Sequence, residues 1–397
     1  MLGQAGAEKM PHVDAALGIL SGSAPTHVHR RAAIRNSWLN FERRSLEVRF
    51  VVRCGGGGSS SKQLLEEAKL YPSDMLCTPL GEHSRTRGTI SVLVYWMRHA
   101  LSAFPSARFV LKADDDVFLH TPDLESHLQA IPADAAAHAY YGSIKYFHAV
   151  TATSRMELRA FAPTYSYALM VARTQRLHEV ACGSQRDNQT AASPSALFTS
   201  AASTCRVLGP FPYACGQAFA LGAALARALL SHPALEVELA RVATLAASNP
   251  LVTEDGWLGA VIFRCFAASA LPINLFTLGE PHLFIDDATY DLKATRALVI
   301  FHNRNLNPNP RPRWYERMRT LFRFSKVAHC TATTGWRPKP SRCCRARARG
   351  GQTDALSVRV PHWPVYRLAA RHCEGGHAHA RIDLGDAAVL RQWNVSS

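Results

Sequence analysis

Two hydrophobic periods alternate along the first part of the chain. His12 to Ser21 reads as a strand ending in a polar loop, and Arg31 to Trp38 as the start of a helix. Leu46, Val48, Phe50 and Val52 alternate with Glu47 and Arg49, the pattern of a half-buried strand. Gly55 to Gly58 and three serines then make a flexible connection, and Lys62 to Leu70 a short helix with a serine to cap it. Ile90, Leu93, Val94, Met97, Leu101 and Phe104 fall at helical spacing and stop at Pro105, an apolar stripe that packs on a sheet. Phe109 to Leu111 is the next strand. Thr121 and Pro122 open another helix, with the hydroxyl as cap and proline in the first turn. Strand and helix in alternation predict an α/β sheet with covered faces.

Further on the periods loosen. From about residue 151 to 207 the chain is rich in Ala, Ser, Thr and Arg, which reads as an irregular insertion shaping one side of a site. Gln217 to Leu230 and Asp255 to Phe266 return to helical periodicity, and Leu298 to Phe301 is a buried strand delivering His302. Arg313 to Phe324 reads as a basic amphipathic helix, the last element of the domain. The expected division is one domain over 12–330 and a basic, Pro- and Arg-rich extension over 331–397. There are no internal repeats.

At 397 residues the chain can bury a full core. Apolar residues at 47% and charged residues at 19% exclude a disordered chain. The formal charge of +15 attracts anions, but much of it crowds into Arg337 to Arg349, a tail rather than a groove. Only Trp336 accompanies that run, so no specific nucleic-acid partner is expected. The ten cysteines lack paired C-x-x-C clusters, which excludes a zinc framework. Secretory oxidation would pair several; a reducing compartment would leave buried thiols. The sequons at Asn188 and Asn394 suit lumenal exposure. No segment has the length of a membrane span.

The chemistry concentrates at Asp114, Asp115 and Asp116, three carboxylates at the end of an apolar strand. Like charges this close repel, and burial makes them costlier unless a cation neutralises them. A hard divalent cation that keeps positions open for phosphate is one neutraliser; a solvated acidic turn is the competing reading. The Gly55 to Gly58 run is no phosphate cradle, because it lacks the G-x-x-x-x-G-K-[ST] pattern.

Five segments in order change that balance: Arg31-Ala-Ala-Ile34-Arg35-Asn36-Ser37-Trp38, the Asp triplet with Val117 and Phe118, Phe211 to Gly216, Glu254-Asp255-Gly256-Trp257-Leu258-Gly259, and Ile300 to Arg304. Together they resemble the β1,3-glycosyltransferase family of galactosyl- and N-acetylglucosaminyltransferases, over roughly residues 14 to 324. The resemblance implies a GT-A-type, Rossmann-like mixed sheet with helices on both faces. It implies inverting, metal-dependent transfer of a hexose from a UDP-sugar to a glycan hydroxyl through a β1,3 linkage. UDP-galactose is the expected donor, with N-acetylglucosamine as the alternative. The expected acceptor is a glycan on a glycoprotein, glycolipid or phosphoglycan. It also implies the lumenal side of the Golgi membrane, through an anchor this sequence does not contain.

Residue by residue, the resemblance assigns Asp114, Asp116 and His302 to Mn²⁺ or Mg²⁺, a mixed O/N set that suits Mn²⁺. Arg31 and Arg35, one helical turn apart, would join Asp114 and Asp115 as donor contacts; paired surface salt bridges are the competing reading. Asp255 is the expected general base, against a plain helix cap. Tyr213, Gly216 and Glu254 fall on the acceptor side, and Cys215 would join a disulfide with Cys205 or Cys182. The chain departs from the family at Gly256, where the family has valine. It departs again at Gln217 and Ala218, in place of a glycine-rich continuation, and around Glu82 to Thr89. A metal-dependent hydrolase or nuclease, or a degenerate protein that binds nucleotide sugar without turnover, remain the competing functions.

Overall fold

The computed structural model describes residues 13–55, 59–80, 85–150, 207–244, 253–266, 269, 271–278, 283–285, 300–302, 365–370 and 380–383. The insertion over 151–206, the helix expected at Arg313 to Phe324, both sequons and the Arg337 to Arg349 run lie outside these residues. Strand β1 (Ala15–Leu20) is followed by α1 (Pro25–Arg35), β2 (Leu46–Arg53), α2 (Ser59–Leu70), β3 (Met75–Thr78) and α3 (Arg85–Ala103). Then come β4 (Phe109–Asp114), β5 (Val117–Leu119), α4 (Thr121–Ala130), the single turn α5 (Ala133–Ala136) and β6 (Ala139–Val150). After the insertion follow β7 (Val207–Gly222), α6 (Ala223–Ser231), α7 (Ala234–Thr244), α8 (Glu254–Phe266), β8 (Asn274–Leu278), β9 (Leu283–Ile285) and β10 (Ile300–His302).

These strands build a sheet in the order β8-β6-β7-β4-β1-β2-β3. Strand β1 runs parallel to β2 and β4, while β7 runs antiparallel to β4 and β6. Two short strands beyond residue 330, β11 (Val365–Ala370) and β12 (Ala380–Asp383), extend the β8 edge, with β11 parallel to β8. The expected C-terminal extension thus contributes backbone to the sheet. A second small sheet pairs β5 with β10 and β10 with β9.

Both faces are covered, as the alternation of periods predicts. One core layer joins Trp96, Met97 and Leu101 of α3 to Leu225 and Leu229 of α6 and to Trp257, Val261 and Ile262 of α8. The other joins Ile34 of α1, Leu64 of α2 and Leu124 and Leu128 of α4 beneath β1, β2 and β4. The mixed α/β sheet expected from the sequence is therefore the architecture observed. Among the described residues no helix is long and apolar enough to cross a membrane.

Local differences have physical causes. Gln217 to Leu230 is not one helix: β7 continues to Gly222, with Ala218 to Gly222 in ladder with β4, and α6 begins only at Ala223. Phe219 and Leu221 alternate with Ala218 and Ala220 between the two core layers, a period of two hidden by the alanines. Helix α1 starts at Pro25, so Arg31 to Trp38 lies past its middle. Thr121 is buried inside α4 rather than capping it; the cap position is His120, whose ring pairs with Asp123 at 2.7 Å. Strand β6 is irregular at Gly142, where φ of +154° needs a residue without Cβ.

Candidate active site

The Asp triplet sits at the carboxyl end of β4, beside the end of β1, where ligands of open α/β sheets gather. Its three members have different surroundings. Asp115 is buried, and the loop after β1 and helix α1 surround it. It accepts the Ser21 hydroxyl at 2.6 Å, the His27 Nδ1–H at 2.5 Å and the Arg30 guanidinium at 2.8 Å. Burial alone would raise its pKa; these donors more than offset that and hold the carboxyl below the usual range. Asp116 lies 3.8 Å from Arg30.

Asp114 faces the opposite way, toward a cation the sequence reading passed over. The Lys112 side chain is fully enclosed, and its ammonium reaches Asp114 at 2.6 Å and Glu254 at 2.8 Å. It also donates to the carbonyl of Gly216. Burial opposes a charge there, yet the two carboxylates more than compensate and keep the amine protonated far above its ordinary range. Burial raises the pKa of Asp114, Glu254 and Asp116 add to it, and Lys112 opposes. Glu254, half-buried and paired with Lys112, ends below its usual range. One ammonium thus ties the end of β4, the middle of β7 and the start of α8 into one cluster. Lys112 and Asp114 stand at i and i+2 of a strand and share a face, the signal by which the lysine was legible.

Asp255 is held by backbone. Its Oδ2 accepts the Gly216 N–H at 2.9 Å and its Oδ1 the Gly256 N–H at 2.7 Å. The cap geometry weighed against a general base is therefore present, and it fixes the carboxylate against β7 rather than leaving it in solvent. Gly259 makes this approach possible. A Cβ there would lie 2.5 Å from the Tyr213 Cβ and 2.7 Å from the Pro212 carbonyl, so only glycine lets α8 press this closely on β7. Tyr213 is buried, which raises its pKa, and Cys215 lies beside it with 4.0 Å between sulfur and hydroxyl. Cys215 is a buried free thiol, and its expected partners Cys205 and Cys182 lie outside the described residues. The described disulfide joins Cys54 to Cys77 across the ends of β2 and β3, with Cα atoms 5.3 Å apart.

Arg31 and Arg35 do share one face of α1, but that face meets α2 and the residue just before β3. Arg31, fully buried, holds Glu67 with two bonds of 3.0 and 2.5 Å and also the Ser21 hydroxyl and Gly22 carbonyl at 2.7 Å. Arg35 holds Asp74 at 2.7 and 2.9 Å and Glu67 at 2.8 Å, stacked on Tyr71. The salt-bridge reading describes these contacts. Arg31 touches the triplet only through Ser21, while Arg30, the residue before it and in neither motif position, is the guanidinium that reaches Asp115. Ile34 and Trp38 of the same segment are core, and the Trp38 indole donates to the Val117 carbonyl at 3.1 Å.

His302 is brought to the triplet by backbone register. Strand β10 pairs antiparallel with β5 so that His302 stands opposite Val117, the residue after Asp116. Among the described residues no group of three or more His, Cys, Asp or Glu is gathered to hold a metal. The arrangement brings together Asp114, Asp115, Asp116, Glu254, Asp255, Gly216 and the backbone of His302. It leaves Arg31 and Arg35 a layer behind.

The chain is 35% identical over 136 residues to mouse beta-1,3-galactosyltransferase 6, covering 33% of this chain and 41% of that protein. It is 32% identical over 133 residues to lactosylceramide 1,3-N-acetyl-beta-D-glucosaminyltransferase A of Xenopus laevis (30% and 34% covered). To human N-acetyllactosaminide beta-1,3-N-acetylglucosaminyltransferase 4 it is 34% identical over 106 residues (26% and 27% covered). The chain thus spans less than half the length of these curated relatives. Among solved structures, a glycosyltransferase involved in glycosylation of the major capsid of PBCV-1 aligns at 13% identity, covering 77% of this chain and 99% of that one, with a TM-score of 0.31. The family model for galactosyltransferase matches residues 29–234, which hold the Asp triplet, Lys112 and Gly216, and the chain belongs to that family.

Proposed function

We propose that this protein transfers a hexose, with galactose as the preferred donor sugar, from a UDP-sugar to a glycan hydroxyl, forming a β1,3 linkage with inversion. The observation that carries this reading is the Lys112 cluster. It joins the acidic end of β4 to the Glu254–Asp255 helix start through Gly216, so a donor-side carboxylate and an acceptor-side carboxylate share one rigid frame. Transfer with inversion needs two such groups aligned on opposite sides of the reacting carbon.

The donor types of Asp114, Asp116 and His302, two carboxylates and an imidazole, suit a divalent ion, and the register of β10 with β5 sets the His302 backbone opposite Val117. Asp116 and His302 would hold Mn²⁺ or Mg²⁺, with Asp114 shared between the ion and Lys112. When bound, such an ion neutralises the leaving diphosphate. Asp115 supports the site indirectly, because Ser21, His27 and Arg30 occupy its oxygens and so anchor the loop after β1 against β4. Arg31 and Arg35 position α1 rather than touch the nucleotide. Asp255 removes the proton of the acceptor hydroxyl, and the N–H groups of Gly216 and Gly256 hold its carboxylate in place. Tyr213 and Gly216 form the acceptor wall. The acceptor in this reading is a glycan on glycoprotein, glycolipid or phosphoglycan, and the setting is the lumenal side of the Golgi; the Cys54–Cys77 bridge supports an oxidising compartment.

A second donor, UDP-N-acetylglucosamine, is favoured by relatives whose names state that activity. Incubating the protein with each UDP-sugar, Mn²⁺ and a β-galactoside, then reading linkage and anomeric configuration by NMR, tests the reading. A β1,3 galactoside is expected. A retained anomer or free sugar as the sole product would contradict it.

A further inference from the structure

Gln217 is a buried amide in the site whose oxygen meets no donor among the described residues. It lies in β7 immediately after Gly216, whose two backbone groups hold Lys112 and Asp255. The ladder between β4 and β7 pairs Lys112 with Phe219 and Ala113 with Ala218, so the next position of the same register puts Gln217 opposite Asp114. Directly opposed residues of an antiparallel pair share a face, so the carboxamide stands on the face where Asp114 meets Lys112. Gln217 is only 5% exposed, and its Oε1 is buried without a hydrogen bond. An amide oxygen left so costs about 1–3 kcal/mol of desolvation. Among the described residues no donor offsets it, and a hydroxyl of a bound ligand would. Gln217 also stands where the sequence departs from the glycine-rich continuation of the family, so this acceptor is a feature of this chain.

We infer that Gln217 is a specificity residue whose carboxamide oxygen accepts a hydrogen bond from a hydroxyl of the sugar held over Asp114. The inference rests on the proposed transferase reading and deepens it by naming a contact that reads the sugar rather than the nucleotide. The register with Asp114, on the donor side of the Lys112 cluster, favours the transferred hexose over the acceptor glycan as the source of that hydroxyl. Metal-bound diphosphate offers only acceptors, so it leaves Oε1 unsatisfied, whereas a hexose supplies several O–H donors.

Gln217→Met keeps length and volume while removing the polar atoms. Calorimetric titration in Mn²⁺ with UDP, with UDP-galactose, and with a β-galactoside in the presence of UDP separates the sources. The variant is expected to bind UDP with wild-type Kd and to lose about 3- to 10-fold for UDP-galactose, the effect of one hydrogen bond. Its Tm should be unchanged or higher, because an orphaned polar atom has been replaced by an apolar one. Loss confined to the β-galactoside arm assigns the hydroxyl to the acceptor instead. Unchanged affinity for both sugars with UDP binding intact overturns the inference and leaves the transferase reading standing. A wild-type protein that binds neither UDP nor UDP-galactose overturns both. A lowered Tm marks Gln217 as structural and also overturns the inference. Should the Met variant not fold, Gln217→Asn, which keeps the amide but withdraws it by one methylene, must show the same selective loss.

Discussion

Replacing Lys112 with methionine removes the cation that joins three segments of the site. Its side chain is completely enclosed, while Asp114 keeps 32% and Glu254 16% of side-chain surface accessible. Removing one partner of a buried ion pair costs about 3–5 kcal/mol, because the remaining charge is left uncompensated. Here two carboxylates and the Gly216 carbonyl lose their donor together, but the partial exposure of Asp114 lets water relieve part of the cost. The expected loss is therefore near the lower end, about 3 kcal/mol. Against a typical total of about 5–15 kcal/mol, that is a large fraction. At about 2–4 °C per kcal/mol it lowers Tm by roughly 6–12 °C. Thermal and urea unfolding at pH 7 read the loss directly. Adding Glu254→Gln to Lys112→Met should recover part of it, since one of the stranded charges disappears, and the double-mutant cycle should report coupling. A Lys112→Met protein within about 1 kcal/mol of wild type would refute the claim that this ammonium holds the site together.

Asp255→Asn keeps the size and one acceptor oxygen, enough for the Gly216 N–H but not for the Gly256 N–H as well, so UDP affinity should hold while kcat falls by about 10²–10⁴-fold; near-normal turnover would leave Asp255 a helix cap. Asp116→Asn is expected to weaken UDP binding in Mn²⁺ and abolish transfer, and wild-type UDP affinity in calorimetry would contradict the metal assignment. Gly259→Ala introduces a Cβ 2.5 Å from that of Tyr213, so α8 must shift; kcat should fall with UDP affinity retained, and unchanged kinetics would show that the close approach is dispensable. For Glu67, burial would raise the carboxyl, but Arg31 and Arg35 outweigh it and hold it below the ordinary value of 4.5. A depressed folded value means its stabilisation is complete above about pH 4.5 and is lost as pH falls through that folded value. Glu67→Gln should therefore flatten the acid limb of the stability curve, and an unaltered limb would refute the assignment.

The parts legible in sequence were those where one residue's chemistry or a clean period decides the outcome. The strands β2 and β4, the apolar stripe of α3 and the acidic cluster at a strand end all follow from alternation and charge. The helix start at Glu254 and Asp255 is also local. What sequence alone could not give was which carboxylate meets which cation. Arg31 and Arg35 share a helix face as expected, yet that face meets Glu67 and Asp74, more than 30 residues away in the chain. Arg30 and His27, one and four positions before Arg31, turn instead to Asp115. The stretch after Gly216 suits both periods because of its alanines, and only pairing with β4 makes it a strand. Gly259 looked like a motif glycine; its reason, contact of α8 with Tyr213, is tertiary.

The most direct test of the account is donor hydrolysis and transfer across a panel of UDP-sugars, with and without Mn²⁺. The account predicts turnover that requires the ion, is greatest with UDP-galactose, and rises when a β-galactoside is supplied. Turnover independent of metal, or phosphodiester cleavage with no preference for a nucleotide sugar, would contradict it.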